Sequence, residues 1–335
     1  MKSKIVIYDS APFLPVLFGV NVKEYYKNVK VKLETQSLFI KRYEEVITMI
    51  PGIWADFGTI VEPSAFGSEI VWFENDAPFS KPCIKSLDQI KKLKIINPKK
   101  DGLMPVALEQ YKYMWENIDK DLIYKIGYLN GIAYTMGPLE TAGLIMGYEN
   151  FFIEMCSNPK KIKDLIKKIT EGLIKWLYEQ QKVNGKMKIL IIPDHVPSLI
   201  SEKHFLEFGL NSFKEIFGEF HNAKKLWHNE GKVTHISKYI DEIGCDVYHC
   251  GDNISELQRQ SKKVIFMGNL HPIEIILKKN AEEVIMGTQK LLNDVPDHER
   301  LWVSTGGGLA PGTKFENIDA IVKGVEIFYK NKKNN

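Results

Sequence analysis

The chain predicts a single (β/α)8 barrel, an α/β fold, and three observations point to it. From residue 188 onward, five short apolar runs alternate with amphipathic stretches, the pattern of a parallel sheet with right-handed crossovers. The runs are apolar nearly throughout, as expected of strands covered on both faces. The connections between them are short, and no GxGxxG follows the first strand, so an open dinucleotide-binding sheet lacks its fingerprint. The 335 residues would suit one large barrel or two domains. No linker, repeat or low-complexity segment divides them, so residues 1–335 read as one barrel domain. Within it, 1–50 reads as an N-terminal helical extension and 330–335 as a frayed tail.

The first 120 residues suggest helices near 23–50 and 107–117 and a barrel strand near Ile53–Phe57. GIAYTMGP (131–138) reads as a strand running into a loop. Asn158-Pro159 opens a long helix to Lys182, with Ile162, Leu165, Ile166, Ile169, Leu173, Ile174 and Leu177 as its apolar stripe. KILIIP (188–193) is the first clear buried strand. Residues 202–221 repeat apolar positions at steps of three and four, with Ser201 fitting the cap. KKLWHNEG (224–231), CDVYHCGD (245–252), VIFMGN (264–269) and LWVST (301–305) are the further strands. Helices fill 275–292 and the segment from Glu316 onward.

Composition excludes several classes. The net charge is +3, with no dense basic run, so there is no nucleic-acid footprint. Four scattered cysteines without a CxxC pair suit a reducing compartment. The apolar N-terminal run is broken by Asp9, Pro12 and Pro15, and no stretch of 18 apolar residues occurs. A cytoplasmic protein without membrane association is the expectation. The oligomeric state stays open, a homodimer included.

Barrel chemistry gathers at the C-terminal ends of the strands. Five of the eight histidines fall at or just after such ends: His195, His228, His235, His249 and His271. His228 and Glu230 stand two apart on one strand and share a face. With His249 on the next strand they make two imidazoles and a carboxylate, a catalytic zinc set with a position left open. Asp194 and His195 are candidate catalytic groups. Cys250 follows His249 directly and faces the other way, as a buried cysteine. Asp56, Tyr134 and Asn269 are candidate substrate contacts. So is Gly307, in TGGGLAPGT (305–313), which lacks the GK[ST] of a phosphate loop.

Several segments together resemble the uroporphyrinogen decarboxylase superfamily, and within it the cobamide-dependent methyltransferases, from about residue 70 to the end. They are GPLETAGLIMG (137–147), the NP (158–159) helix entry, IIPDHVPSLIS (191–201), the HNEG strand end, MGNLHP (267–272) and GGGLAPGTKFENI (306–318). The resemblance implies a barrel with extra N-terminal helices. Decarboxylases of the superfamily carry an arginine-rich RQAGRY-like motif near the N-terminus. This chain has only Arg42, Arg259 and Arg300, a poor match to a substrate with eight carboxylates.

The methyltransferases bind zinc through a His-x-Cys pair and a cysteine in a late GCG loop. His228 matches the histidine, Glu230 stands at the first cysteine and Gly307 at the second. The missing ligand would come from His249, Glu215 or Asp194. Glu215 precedes Glu230 by 15 positions, a spacing seen in aryl-ether-demethylating relatives. The resemblance thus implies Zn2+, a corrinoid supplied by a partner protein, and a small methylated substrate, most of all a phenyl methyl ether. Methanol, a methylamine or a thiol are the alternatives, and a decarboxylase-like lyase is the more distant one. Imidazole and carboxylate make a harder site than thiolates do, which suits an oxygen donor. Asp194 and His195 would assist the leaving oxygen or orient a ligand.

Overall fold

The computed structural model describes residues 3–10, 12–44, 46–123 and 129–334. Eight parallel strands form one curled sheet: β1 (Lys4–Tyr8), β2 (Ile47–Ile50), β3 (Ile132–Tyr134), β4 (Ile189–Pro193), β5 (Lys224–Asn229), β6 (Val247–Cys250), β7 (Ile265–Leu270) and β8 (Leu301–Thr305). Their order is β2-β1-β8-β7-β6-β5-β4-β3. From β3 to β8 each strand pairs with the next in sequence, β1 pairs with β2, and β1 pairs with β8 through Lys4↔Trp302 and Ile5↔Val303. This is a (β/α)8 barrel. Its seam lies between β2 and β3, where Leu129 N–H donates to the Ile53 carbonyl at 3.2 Å.

β4 and β6 are buried along their whole length, which is why they read as continuous apolar runs. The outer layer holds them from behind. Phe213, on the helix Leu210–Glu219, meets the Trp227 indole of β5 at 5.6 Å between centroids. Trp227 also stacks on Tyr248 of β6 at 4.5 Å. With Trp227 and Tyr248 turned outward, strand alternation turns His228 and His249 inward.

The expected helices 158–182 and 107–117 appear as Pro159–Asn184 and Met104–Asn117. Other elements differ. Lys4–Tyr8 is a barrel strand, so the first 50 residues are not purely a helical extension. The next strand lies at 47–50 instead of 53–57. The 202–221 helix starts under a Ser201 cap but widens to a π-turn over Phe205–Gly209. The 275–292 segment is interrupted: a turn at Pro272–Leu277 precedes the helix Ala281–Asp294, which the Asn280–Glu283 capping box restarts. The lysine-asparagine tail stays helical to Asn334. No helix among the described residues is long and apolar enough to cross a membrane.

Candidate metal centre at the barrel mouth

β5 and β6 run in register, with His228 opposite His249. His249 Nε2 stands 2.9 Å from the Thr305 carbonyl. A carbonyl only accepts, so Nε2 must carry the proton. The Nδ1 of neutral His249 is then an acceptor, and His228 Nδ1–H donates to it at 2.7 Å. This relay leaves the lone pair of His228 on Nε2, facing the mouth. Burial pushes His249 down to about 3, and His228 also lies below the usual imidazole range through burial. Both are neutral at pH 7, the form that leaves His228 able to bind a metal. Tyr8, at the end of β1, stacks on the His228 ring at 4.2 Å and 12°.

His228 Nε2 lies 3.3 Å from Glu230 Oε1 and 3.3 Å from His195 Nε2. The three donors all fall within 4.8 Å of one another. A tetrahedral ion with ligands at roughly 2.0–2.1 Å requires neighbouring donors about 3.3–3.4 Å apart, so these two separations already have the length of a coordination edge. The donor set fits a zinc-like ion. The side chains of His195 and Glu230 are 36% and 47% exposed, so the cluster opens toward the mouth. Glu230 is held down to about 2: burial opposes this, and His228 and the neighbouring imidazoles, protonated at the acid pH where Glu230 titrates, outweigh it.

The other expected residues fall elsewhere. His249 is not in the cluster; it stands behind His228, its two nitrogens engaged with His228 and Thr305. Glu215 is exposed on the outer helix Leu210–Glu219 and takes no part in the cluster. Asp194 is fully buried. Its Oδ2 accepts from Leu139 N–H at 3.0 Å, and its Oδ1 from Val196 N–H at 3.3 Å. It thereby caps the helix Pro138–Met146, a different helix from the one that follows it in sequence. Gly137 gives it room, since a Cβ there would overlap the Asp194 carboxylate. We expect Gly137→Ala to cost about 1–3 kcal/mol in urea unfolding; a loss below about 0.5 kcal/mol would show that the cap is not tightly packed.

Gly307 faces the cluster. A Cβ at this position would sit 2.5 Å from Glu230 Oε2, so the carboxylate uses the space that a side chain at 307 would fill. Asp56 is buried in the segment after β2, accepting from Tyr25 O–H at 3.0 Å and from Gly58 N–H at 2.7 Å. The fully buried Lys32 ammonium raises no bond to it but attracts it; Lys32 itself donates to Gln110 Oε1 at 2.6 Å and to the Tyr26 carbonyl at 3.2 Å. Tyr134 packs on Trp54 with centroids 4.3 Å apart. Asn269 donates to the Asp252 carbonyl and lines a groove of about 790 Å3 between the loop after β6 and the helix Ala281–Asp294.

Sequence reasoning missed three residues: Tyr8, Thr305 and Glu140. Tyr8 could have been found had KIVIY been read as the first strand, since it ends that run. Thr305 acts through its carbonyl, which carries no side-chain signal. Glu140 lies at the start of a helix, where an acidic residue is ordinary.

A parallel barrel with an imidazole–carboxylate cluster at the C-terminal ends of its strands is the architecture of an enzyme of the barrel class. The profile of the uroporphyrinogen decarboxylase (URO-D) family matches residues 16–327, and the chain belongs to that family. It is 25% identical over 341 residues to the uroporphyrinogen decarboxylase of Orientia tsutsugamushi, covering 95% of each chain. It is 25% identical over 283 residues to that of Wigglesworthia glossinidia brevipalpis, covering 81% of this chain and 76% of the relative. Among solved structures it resembles a methyltransferase from Methanosarcina mazei, with a TM-score of 0.80 at 17% identity, covering 98% of this chain and 94% of the other. It also resembles a B12-independent methionine synthase from Shewanella sp. W3-18-1, with a TM-score of 0.62 at 12% identity, covering 100% and 98%.

Proposed function

We propose that this chain is a zinc-dependent methyltransferase that moves a methyl group from an O-methylated compound, a phenyl methyl ether in the first place, to the Co(I) corrinoid of a separate protein. The observation that carries the reading is the His195–His228–Glu230 cluster beside Gly307. Where the resembled methyltransferases place two thiolates, this chain places a carboxylate and leaves a side-chain-free position. Zinc held there supplies Lewis acidity to a departing oxygen, and a nitrogen–oxygen donor set makes it a hard acid. The chain's own groups do the rest. His249 and the Thr305 carbonyl hold His228 in its binding tautomer. Tyr8 covers the ring face of His228. His195 and Glu230 present the open edge on which a substrate can rest.

The arginines argue against a polycarboxylate at this mouth. Arg42 ends the helix before β2 and pairs with Asp319 at 3.3 Å, and Arg300 precedes β8 and pairs with Asp297 at 2.7 Å. Arg259 ends the helix before β7. All three precede strands, so they lie at the N-terminal end of the barrel, opposite the cluster.

Elemental analysis of wild type and Glu230→Ala, purified without chelators, tests the reading. We expect about one zinc per wild-type chain and near none in the variant, with methyl transfer from a phenyl methyl ether to cob(I)alamin lost in parallel. Wild-type protein with less than about a tenth of an equivalent would overturn it.

A further inference from the structure

We propose that Glu140 is a positioning residue of the metal centre: it fixes the ring of His195 so that Nε2 is the nitrogen offered to the ion. The inference rests on the metal reading above, but it concerns a residue outside the donor cluster. Glu140 lies in the first turn of the helix Pro138–Met146, yet its side chain is only 8% exposed. One oxygen, Oε2, accepts the backbone N–H of His195 at 2.7 Å and lies 3.5 Å from His195 Nδ1. The other, Oε1, accepts the Tyr148 hydroxyl. A carboxylate fixed beside Nδ1 favours the proton there and leaves the lone pair on Nε2. Nε2 is the atom that stands 3.3 Å from His228 Nε2.

The local sequence is shaped for this contact. Tyr148 follows Gly147, whose φ of +79° turns the chain at the end of the helix. Its ring lies back over the helix because Gly143 has no side chain; a Cβ there would meet Tyr148 Cε1 at 2.6 Å. The two segments also hold each other in both directions. Asp194, from the strand end, caps the helix that carries Glu140, and Glu140, from that helix, holds the residue after Asp194. The GPLETAG and PDH segments thus act as one clasp around the His195 ligand.

The test measures affinity for zinc and for cobalt(II) by chelator competition, in wild type, Glu140→Gln, His195→Ala and the double variant. Outer carboxylates of this kind contribute about 10- to 100-fold in metal affinity. We expect a loss in that range for Glu140→Gln, an altered visible spectrum of the cobalt(II) form, and no further loss when Glu140→Gln is added to His195→Ala. A merely structural role would lower affinity equally in both backgrounds, and that result overturns the proposal. So does wild-type affinity in Glu140→Gln. Tyr148→Phe, which leaves the carboxylate in place, is expected to show a smaller loss and serves if Glu140→Gln does not fold. Metal absent from the wild type would remove the metal reading itself; metal lost in Glu230→Ala but kept in Glu140→Gln would remove this inference alone.

Discussion

Alanine at position 307 is expected to strip the metal from the centre while leaving the barrel folded. The added Cβ would stand 2.5 Å from Glu230 Oε2 and 2.6 Å from Glu230 Cδ. These atoms are the far end of a flexible, half-exposed side chain, so Glu230 can swing outward at a cost to stability of about 1 kcal/mol or less. The same swing removes one of three protein donors. Metal affinity should fall by about 100-fold or more, since each ligand is integral to a three-donor site. Chelator competition reads the affinity, and urea unfolding of the apo protein reads the stability. A Gly307→Ala protein that holds zinc as the wild type does would show that Glu230 is not a ligand. The complementary variant, Glu230→Cys with Gly307→Cys, exchanges the carboxylate for two thiolates. It should bind metal again, with the thiolate-to-cobalt(II) charge-transfer bands that the wild type lacks.

Lys32 is expected to make a contribution to stability that rises with pH between about 7 and 10. Its ammonium is fully buried against the Phe57 ring at 4.1 Å, with Gln110 and the Tyr26 carbonyl as its hydrogen-bond acceptors. Burial pulls it down to about 7, against the attraction of Asp56. The unfolded chain keeps that proton to the ordinary lysine value near 10.5. Between the two values the unfolded state binds the extra proton, so the unfolding free energy grows as pH rises. The limiting slope is about 1.4 kcal/mol per pH unit, and water penetration and the coupling to Asp56 reduce it. Lys32→Met removes this titration. Urea unfolding of both proteins at pH 7.5 and 9.5 should show the wild type gaining about 1–3 kcal/mol relative to the variant. Parallel pH profiles would mean that Lys32 keeps its ordinary affinity for the proton.

The second half of the barrel is legible in the sequence because its strands are continuous apolar runs and its helices carry clear stripes. The first half is harder for identifiable reasons. KIVIY is only five residues long and runs straight into Asp9 and a proline-rich turn. β2 has four residues and β3 three, too short for any periodicity to register. At the site, the strand-end rule and the i, i+2 rule correctly bring His228 and Glu230 together. Neither rule chooses between His195 and His249 as their companion. That choice depends on register: His249 lies directly beside His228, close enough for a hydrogen bond through the same face, whereas His195 comes over the top from the loop after β4. Asp194 shows a further limit. It follows a strand end, and it also caps a helix more than 50 residues earlier, a partner that only the closed barrel supplies.

The pairing of β1 with β8 also matters while the chain is being made. Lys4–Tyr8 leaves the ribosome long before one of its two neighbours, Leu301–Thr305, has been synthesised. Until then, Lys4–Tyr8 has an open hydrogen-bonding edge on an apolar strand, the kind of surface that recruits other chains. The ring can close only after Leu301–Thr305 has been made, so the His195–His228–Glu230 cluster, which packs on Tyr8 of the first strand and is braced through His249 by the Thr305 carbonyl, takes shape only then.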